Sequence, residues 1–317
     1  MKRRSASIRL MQVIVSLTLC VVSVDALGDD ISALMPCPRE TIRLEKVVEI
    51  GPRTQVVLYP NPRTADRQAA VRIQRLLSQH LGVSVPVVNC NETGYDSHSV
   101  CIGQGLSNAH LTRLLAKHGL TPSVNREGFT LILSRQGIGL WGNDDDGVRH
   151  GSFVLERILG TEVGVSGIPE VILKDYSVGH LRGVWVKPER SNLKALRTLV
   201  GGVFPRCRVN LMLLDLSHVS WDPAVLFVDS KAVSLEEVSD LARYAQQKGI
   251  SIVPCVDFLG DKRWVSAKSS DSNNAPDEDS PRYLFHLKDL GVISRILESY
   301  AEIHRAIASG FFHIGFR

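Results

Sequence analysis

The chain is predicted to be an α/β protein in two parts, and three observations carry that prediction. Strand-like and helical patterns alternate along nearly its whole length. An irregular β-and-helix rhythm gives way after about residue 178 to strand, helix, strand, helix in units that suit parallel βαβ connections. At 317 residues, with 44% hydrophobic and 22% charged residues, the chain can bury one large or two medium cores, so extensive disorder is not expected.

The net charge of +4 is dispersed, and no Lys/Arg run after the first ten residues could line a phosphate backbone, so no nucleic-acid partner is expected. Part of the charge belongs to Lys2, Arg3, Arg4 and Arg9, which precede the apolar run Leu10 to Val24 and Val24-Asp25-Ala26. This pattern predicts a signal peptide over 1–26 cleaved after Ala26. The run is shorter than the roughly 20 residues a spanning helix needs. The mature protein is therefore expected to be exported without a stable membrane span: secreted or periplasmic, or lysosomal in a eukaryote.

Beyond the signal, Cys37, Cys90, Cys101, Cys207 and Cys255 show neither CxxC spacing nor paired histidines. Neither zinc nor any other metal or cofactor is indicated. Cys90 and Cys101 flank a short polar segment and leave two readings open, a disulfide or two buried thiols. Asn91-Glu92-Thr93 is a glycosylation sequon that matters only in a eukaryotic host.

The first domain is expected over 27–178. A Pro-interrupted lead (Pro36, Pro38, Pro52) precedes the strand Val56 to Tyr59. Ala69, Ile73, Leu76, Leu77 and His80 then recur at helical spacing, and Gly82 stops that helix. Strands over Val83 to Val88 and Ser99 to Ile102 come next, then a helix over Leu111 to His118. Phe129 to Leu133 and Ile138 to Trp141, separated by Gln136-Gly137, read as a hairpin. Asn143 to Asp146 supply a cap and first-turn acids for a helix carrying Val148, Phe153, Val154, Ile158 and Leu159.

The second domain is expected over 179–317. Leu181 to Val186 and Val209 to Leu216 are apolar enough for strands buried on both faces, with a helix over Leu193 to Val203 between them. Ser234 caps a helix with Glu236 and Glu237 in its first turn that ends at Gly249, and Ile250 to Val256 is a third strand. Lys268 to Arg282 is Ser/Asp/Asn/Pro-rich and reads as a loop. Leu290, Ile293, Ile296, Leu297, Tyr300, Ile303 and Ile307 mark one face of a long helix, and Phe311 to Gly315 opens a fourth strand. Pattern alone leaves half of an eight-stranded barrel or a small open doubly wound sheet as alternatives.

Ordered blocks decide between them. Leu181-Arg182-Gly183-Val184-Trp185-Val186, Tyr244-Ala245 to Gly249-Ile250, Pro254-Cys255-Val256-Asp257-Phe258-Leu259-Gly260-Asp261 and Phe312-His313-Ile314-Gly315 resemble the glycoside hydrolase family 20 barrel, that of the β-N-acetylhexosaminidases. There the first strand opens with Arg-Gly, a "YA…rGI.vvPE.D.PGH" block forms the second helix and third strand, and the fourth strand reads "HiGgDE". Upstream, Glu127-Gly128-Phe129 and Gly147-Val148-Arg149-His150-Gly151 resemble the accessory domain that precedes that barrel. The resemblance implies an accessory-type α/β domain followed by an incomplete (β/α)8 barrel of about four strands. An open half barrel has two unpaired edges that favour association.

The implied chemistry is retaining hydrolysis of terminal N-acetylhexosamine by substrate assistance, so the implied partner is an N-acetylhexosamine-containing glycan. The sugar's acetamido oxygen attacks the anomeric carbon, while an Asp orients the amide and an adjacent protonated Glu donates to the leaving oxygen. Both acids follow the fourth strand. Here His313-Ile314-Gly315 is followed by Phe316-Arg317, so no catalytic residue is assigned and a polypeptide of these 317 residues is expected to be inactive.

The resemblance makes Arg182, Asp257, Asp261 and His313 the substrate-binding candidates. Arg182 matches the family's sugar-binding arginine, with a structural ion pair as the alternative. Asp257 would face the barrel mouth, or else cap the next segment. His313 matches the family's His, with a buried hydrogen-bonded core histidine as the other reading. Asp261 stands where the family has His, Cys255 where it has Glu, and Lys187 where Asp is common. Asp215, His218 and Trp221-Asp222 end strand two, where loop packing is favoured. Trp185 and Trp264 could stack on a sugar face, although core packing is the expectation for Trp185 in an apolar strand. Alternatives from other classes are a non-catalytic glycan- or partner-binding protein and a truncated product of a longer frame. α-Glucuronidases and family 84 hexosaminidases share the accessory domain and remain alternatives within the glycosidases.

Overall fold

The computed structural model describes residues 36–89, 97–104, 109–162, 168–216, 219–220, 232–256 and 290–313. They fall into two compact units that meet in sequence between Val178 and Gly179.

The first unit runs β1 (Glu40–Val48), β2 (Gln55–Leu58), α1 (Thr64–Leu81), β3 (Val87–Asn89), β4 (Ser99–Gln104), α2 (Ala109–Lys117), β5 (Phe129–Ser134), β6 (Gly137–Gly142), α3 (Asp145–Glu162) and β7 (Ile168–Asp175). Its strands form one seven-stranded sheet in the order β1-β7-β5-β6-β4-β2-β3. The β3, β2, β4 and β6 half is parallel, whereas β5, β7 and β1 are added antiparallel. Alternate residues feed two cores, as the period of a strand requires. Val56, Leu58, Leu131 and Leu133 pack with Ile73 and Leu77 of α1 and Leu155 and Leu159 of α3. Val57, Cys101 and Ile132 pack with Leu111, Leu114 and Leu115 of α2 on the other face.

Helix α1 begins where the Asp66 carboxylate accepts from the Arg63 backbone N–H at 2.8 Å and ends at Gly82, whose φ of +66° is the left-handed conformation glycine tolerates. Helix α3 is opened by Asp144, which accepts from the Gly147 N–H at 2.8 Å. The Gly147/Gly151 pair has a steric cause. A Cβ at Gly147 would lie 2.1 Å from the Gly128 carbonyl oxygen, and one at Gly151 2.3 Å from Leu140 Cδ1. Both glycines let α3 sit directly on the β5–β6 hairpin.

Four sequence expectations change here. The Pro-interrupted lead contains β1, which pairs with β7 as an edge strand with residues 40–43 exposed, so it lacks the alternation of a half-buried strand. Strand β7 itself closes the unit and was not anticipated. The expected strand Val83 to Val88 reduces to Val87–Asn89, because it too is an edge and only Val85 is buried. His80, expected on the apolar stripe of α1, is exposed, with Nδ1 2.9 Å from the Leu76 carbonyl oxygen.

The second unit runs β8 (Gly183–Val186), α4 (Leu193–Thr198), a π-helical turn (Leu199–Val203), α5 (Phe204–Arg206), β9 (Leu211–Asp215), β10 (Val219–Ser220), β11 (Val233–Ser234), α6 (Leu235–Gln247), β12 (Ser251–Cys255) and α7 (Leu290–Ala306). Strands β8, β9 and β12 form a parallel sheet with β9 central. Beyond β12, Cys255 makes a parallel bridge to His313. Residues 257–289 and 314–317, with the expected loop and the end of the fourth strand, lie outside the described residues.

One face of this sheet is covered. Val186, Met212, Leu214 and Ile252 pack with Leu196, Val200 and Phe204, with Val238, Leu241 and Ala245 of α6, and with Ile303 and Ile307. The strands were expected to be buried on both faces, but Gly183 is exposed, Leu213 and Val253 are half-buried, and Trp185 is 49% exposed rather than packed in a core. The expected single helix over Leu193 to Val203 is interrupted at the π-turn around Gly201-Gly202. A Cβ at Gly201 would meet the Tyr244 hydroxyl at 2.5 Å, so glycine admits α6 there. Leu297, expected on the buried stripe of α7, is 62% exposed. Ser234 does cap α6: its hydroxyl accepts from the Glu237 N–H at 3.2 Å, and Glu237 accepts in return from the Ser234 N–H at 3.0 Å.

Candidate functional site

Parallel register places three chemistry-bearing residues in one row at the carboxyl ends of the second unit's strands. Asp215 of β9 is level with Cys255 of β12, and Cys255 is level with His313. Side chains level across neighbouring strands share a face of the sheet. The row is held by the backbone, with Leu216 N–H donating to Cys255 O at 2.9 Å, His313 N–H to Pro254 O at 2.9 Å and Val256 N–H to His313 O at 3.2 Å. The Ser309 hydroxyl donates to Ile252 O at 2.5 Å and fastens the segment that delivers His313.

Within the row, Cys255 Sγ lies 3.1 Å from His313 Nδ1. The His313 ring meets the Trp185 indole at 81°, with centroids 5.8 Å apart. Asp215 and Cys255 are buried and His313 is half-buried. Tyr300 of α7 packs edge-on against Phe312 at 4.2 Å. Its phenol is pushed up to about 12, first by burial and then by the proximity of Cys255. The row thus offers a carboxylate, a thiol, an imidazole and an aromatic edge, a set able to orient a polar ligand by hydrogen bonds. Among the described residues no group of three or more His, Cys, Asp or Glu side chains is arranged to hold a metal ion.

Of the four substrate-binding candidates, His313 stands in this row. Asp257 and Asp261 lie outside the described residues, as do His218, Trp221, Asp222 and Trp264. Arg182 precedes β8 and so sits at the amino end of the strands. Its Nε donates to Arg208 O at 2.6 Å, its guanidinium also donates to Gly179 O, and its N–H donates to Asn210 Oδ1 at 2.9 Å. Lys187 follows β8 at the carboxyl end and accepts from Asn192 Nδ2 at 2.9 Å through its carbonyl. Sequence reasoning did not anticipate the Cys255–His313 contact, although counting both residues as strand ends of one parallel sheet could have suggested it.

Elsewhere, Cys101 is buried, while Cys90 and the Asn91 sequon lie outside the described residues. A cleft of about 300 Å³ in the first unit is lined by Val47, Val48, Glu49, Ser97, His98 and Arg135. It holds one carboxylate, too few for paired acid–base work. Among the described residues no helix is long and apolar enough to cross a membrane.

A family model described as glycosyl hydrolase family 20, domain 2, matches residues 32–176. Among solved structures the chain is similar to a family 20 exo-β-N-acetylglucosaminidase from Vibrio harveyi in complex with N-acetylglucosamine. The TM-score is 0.64 at 13% identity, over 88% of this chain and 46% of that one. It is also similar to the β-N-acetylhexosaminidase of Streptomyces coelicolor A3(2), with TM-score 0.64 at 14% identity over 90% and 60%. The enzyme of Bacteroides fragilis NCTC 9343 gives 0.61 at 16% identity over 88% and 55%. At such identities the likeness is one of fold, and this chain spans roughly half the length of those structures. No curated protein matches the chain.

Proposed function

Because the chain belongs to glycosyl hydrolase family 20, whose domain 2 it carries over residues 32–176, we propose that it is a glycosidase of the β-N-acetylhexosaminidase type, acting on terminal N-acetylhexosamine of a glycan. The observation that carries the proposal is the row Asp215, Cys255 and His313 at the carboxyl ends of parallel strands, the end of a (β/α)8 barrel at which active sites are built. In this reading β8, β9, β12 and the strand through His313 are the first four of the barrel.

The proposed substrate contacts are Asp257, Asp261 and His313, whereas Arg182, at the amino end of the strands and bonded to the carbonyls of Arg208 and Gly179, is proposed to hold the fold. Hydrolysis proceeds through the substrate's own acetamido oxygen, with an Asp–Glu pair after the fourth strand to steady the amide and protonate the leaving oxygen. His313-Ile314-Gly315-Phe316-Arg317 contains no such pair, so neither acid is assigned to a residue of this sequence. The basic and apolar residues of 1–26 support export through a cleaved signal.

Two preparations test the proposal with p-nitrophenyl N-acetylglucosaminide. The 317-residue polypeptide shows whether these residues suffice for turnover, and the protein isolated from its native source is expected to release p-nitrophenol; no turnover by the native protein overturns the enzymatic reading. A second reading is favoured by the half-exposed indole of Trp185, whose face suits the apolar side of a pyranose. It makes the protein a non-catalytic glycan binder, which predicts sugar binding without turnover in either preparation.

A further inference from the structure

The cleft of about 300 Å³ in the first unit plays no part in the row of strand ends described above. It opens where the chain leaving β1 passes the β5–β6 turn and the two residues that lead into β4. Its volume lies at the lower end for small-molecule sites and suits one ring rather than a long chain.

The sheet fixes the backbone around it. Val47 and Val48 are in register with Pro169 and Ile168 of β7. The Arg135 N–H donates to Glu170 Oε1 at 2.6 Å, and Arg135 Nε donates to Val47 O at 3.4 Å. His98 is held through its carbonyl, which accepts from the Gln55 N–H at 3.2 Å. The side chains on this frame are less engaged. Among the described residues the Glu49 carboxylate and the Ser97 hydroxyl have no hydrogen-bond or ionic partner, and the Arg135 guanidinium has only its contact with Val47 O. The cleft therefore carries an anionic acceptor and a cationic donor that are not paired with each other, beside Val47, whose side chain is 38% exposed.

An acetamido group presents an N–H donor, a carbonyl acceptor and a methyl group. Its amide is planar and trans, so the N–H and the C=O point to opposite sides. Such a group calls for an acceptor and a donor held apart, with an apolar surface for the methyl. Glu49, Arg135 and Val47 supply the three, and hydrogen bonds to charged partners are the stronger kind. Ser97 is left for a ring hydroxyl. We propose that this cleft is a second sugar site, at which Arg135 donates to the acetamido oxygen of an N-acetylhexosamine and Glu49 accepts from its N–H. With one carboxylate, the site retains a glycan without cleaving it. The choice of sugar rests on the reading of the chain as a glycosidase of the β-N-acetylhexosaminidase type.

The test is titration of the 15N-labelled 317-residue polypeptide with N-acetylglucosamine, glucose and glycine, following the amides of Glu49, Ser97 and Arg135 and the Arg135 Nε–H. Saturable shifts are expected with N-acetylglucosamine and none with glucose, which lacks the acetamido group, or with glycine, a free zwitterion. Glu49 and Arg135 are exposed, so Glu49→Ala and Arg135→Ala are expected to fold and to weaken binding about tenfold each. Should Arg135→Ala not fold, Arg135→Lys keeps the charge without the planar fork and is expected to weaken binding as well. Silence of the cleft resonances with N-acetylglucosamine, equal responses to glucose, a response to glycine alone, or unaltered affinity in the variants overturns the proposal. Turnover of p-nitrophenyl N-acetylglucosaminide by the protein from its native source separates the two readings. Turnover with a silent cleft removes only the second site, whereas sugar bound at the cleft without turnover removes only the enzymatic reading.

Discussion

The indole of Trp185 lies edge-to-face on the imidazole of His313, with centroids 5.8 Å apart, although β9 and β12 stand between their strand positions. Strands spaced about 4.8 Å apart would hold those backbones roughly 14 Å apart in a flat sheet. The two side chains can meet only because the sheet curves toward the face that carries them. Replacing Trp185 with Leu and His313 with Gln, singly and together, is expected to give a coupling energy of about 0.5–1 kcal/mol. Amide exchange of Met212 and Leu214, which back the sheet, measures it. Additive effects would mean that the rings touch without holding the curvature.

Gly147 and Gly160 of α3 are predicted to respond oppositely to alanine. The new methyl group at Gly147 would press on the Gly128 carbonyl at 2.1 Å, whereas at Gly160 the nearest contact is Leu76 Cδ1 at 4.0 Å. Gly147→Ala is expected to cost about 3 kcal/mol, since backbone cannot step aside as a side chain can. Gly160→Ala is expected to be neutral or to gain up to about 1 kcal/mol from helix propensity. Urea unfolding of the two variants beside the parent checks both.

His110 of α2 makes the first unit sensitive to acid. Burial, reinforced by Arg113 and Lys117, lowers its imidazole to about 4 from an ordinary 6.5. Between those values the unfolded chain binds a proton that the folded chain refuses, so stability falls as pH drops from about 6.5 to 4. The loss is about 2–3 kcal/mol. Asp66 and Asp146, whose carboxyls burial raises, act in the opposite sense, so the readout is a difference between proteins. His110→Gln is expected to lose less stability than the parent between pH 7 and 4.5, as followed by thermal unfolding. Equal losses would remove His110 as the cause.

Arg182 has two assignments with separate readouts. Its guanidinium donates to the carbonyls of Arg208 and Gly179, and lysine cannot reproduce that planar fork. Arg182→Lys is therefore expected to destabilise the second unit by about 1–3 kcal/mol. Loss of sugar binding with stability intact would instead assign Arg182 to the substrate.

What could be read from the sequence follows the range of the forces involved. Helices α1, α3 and α6 were legible because their apolar spacing and their stops and caps, Gly82, Asp144 and Ser234, lie within each helix or one residue of it. The Gly147/Gly151 spacing was visible, but its cause, the Gly128 carbonyl and Leu140, required the packed hairpin. Strand β1 was missed because its partner β7 lies more than 120 residues away and its own residues are mostly exposed. The exposure of Trp185 depends on what covers its face of the sheet, which no local pattern encodes. At the site, His313 stood out through its motif, whereas its contact with Cys255 depends on the register of two strands joined by a long connection.

The site reading is tested most directly by titrating the 317-residue polypeptide with N-acetylglucosamine and, in parallel, with glucose, following the His313 ring and Trp185 indole resonances. The account predicts saturable shifts at both residues with N-acetylglucosamine and none with glucose. Unchanged resonances with N-acetylglucosamine, or equal shifts with the two sugars, would contradict it.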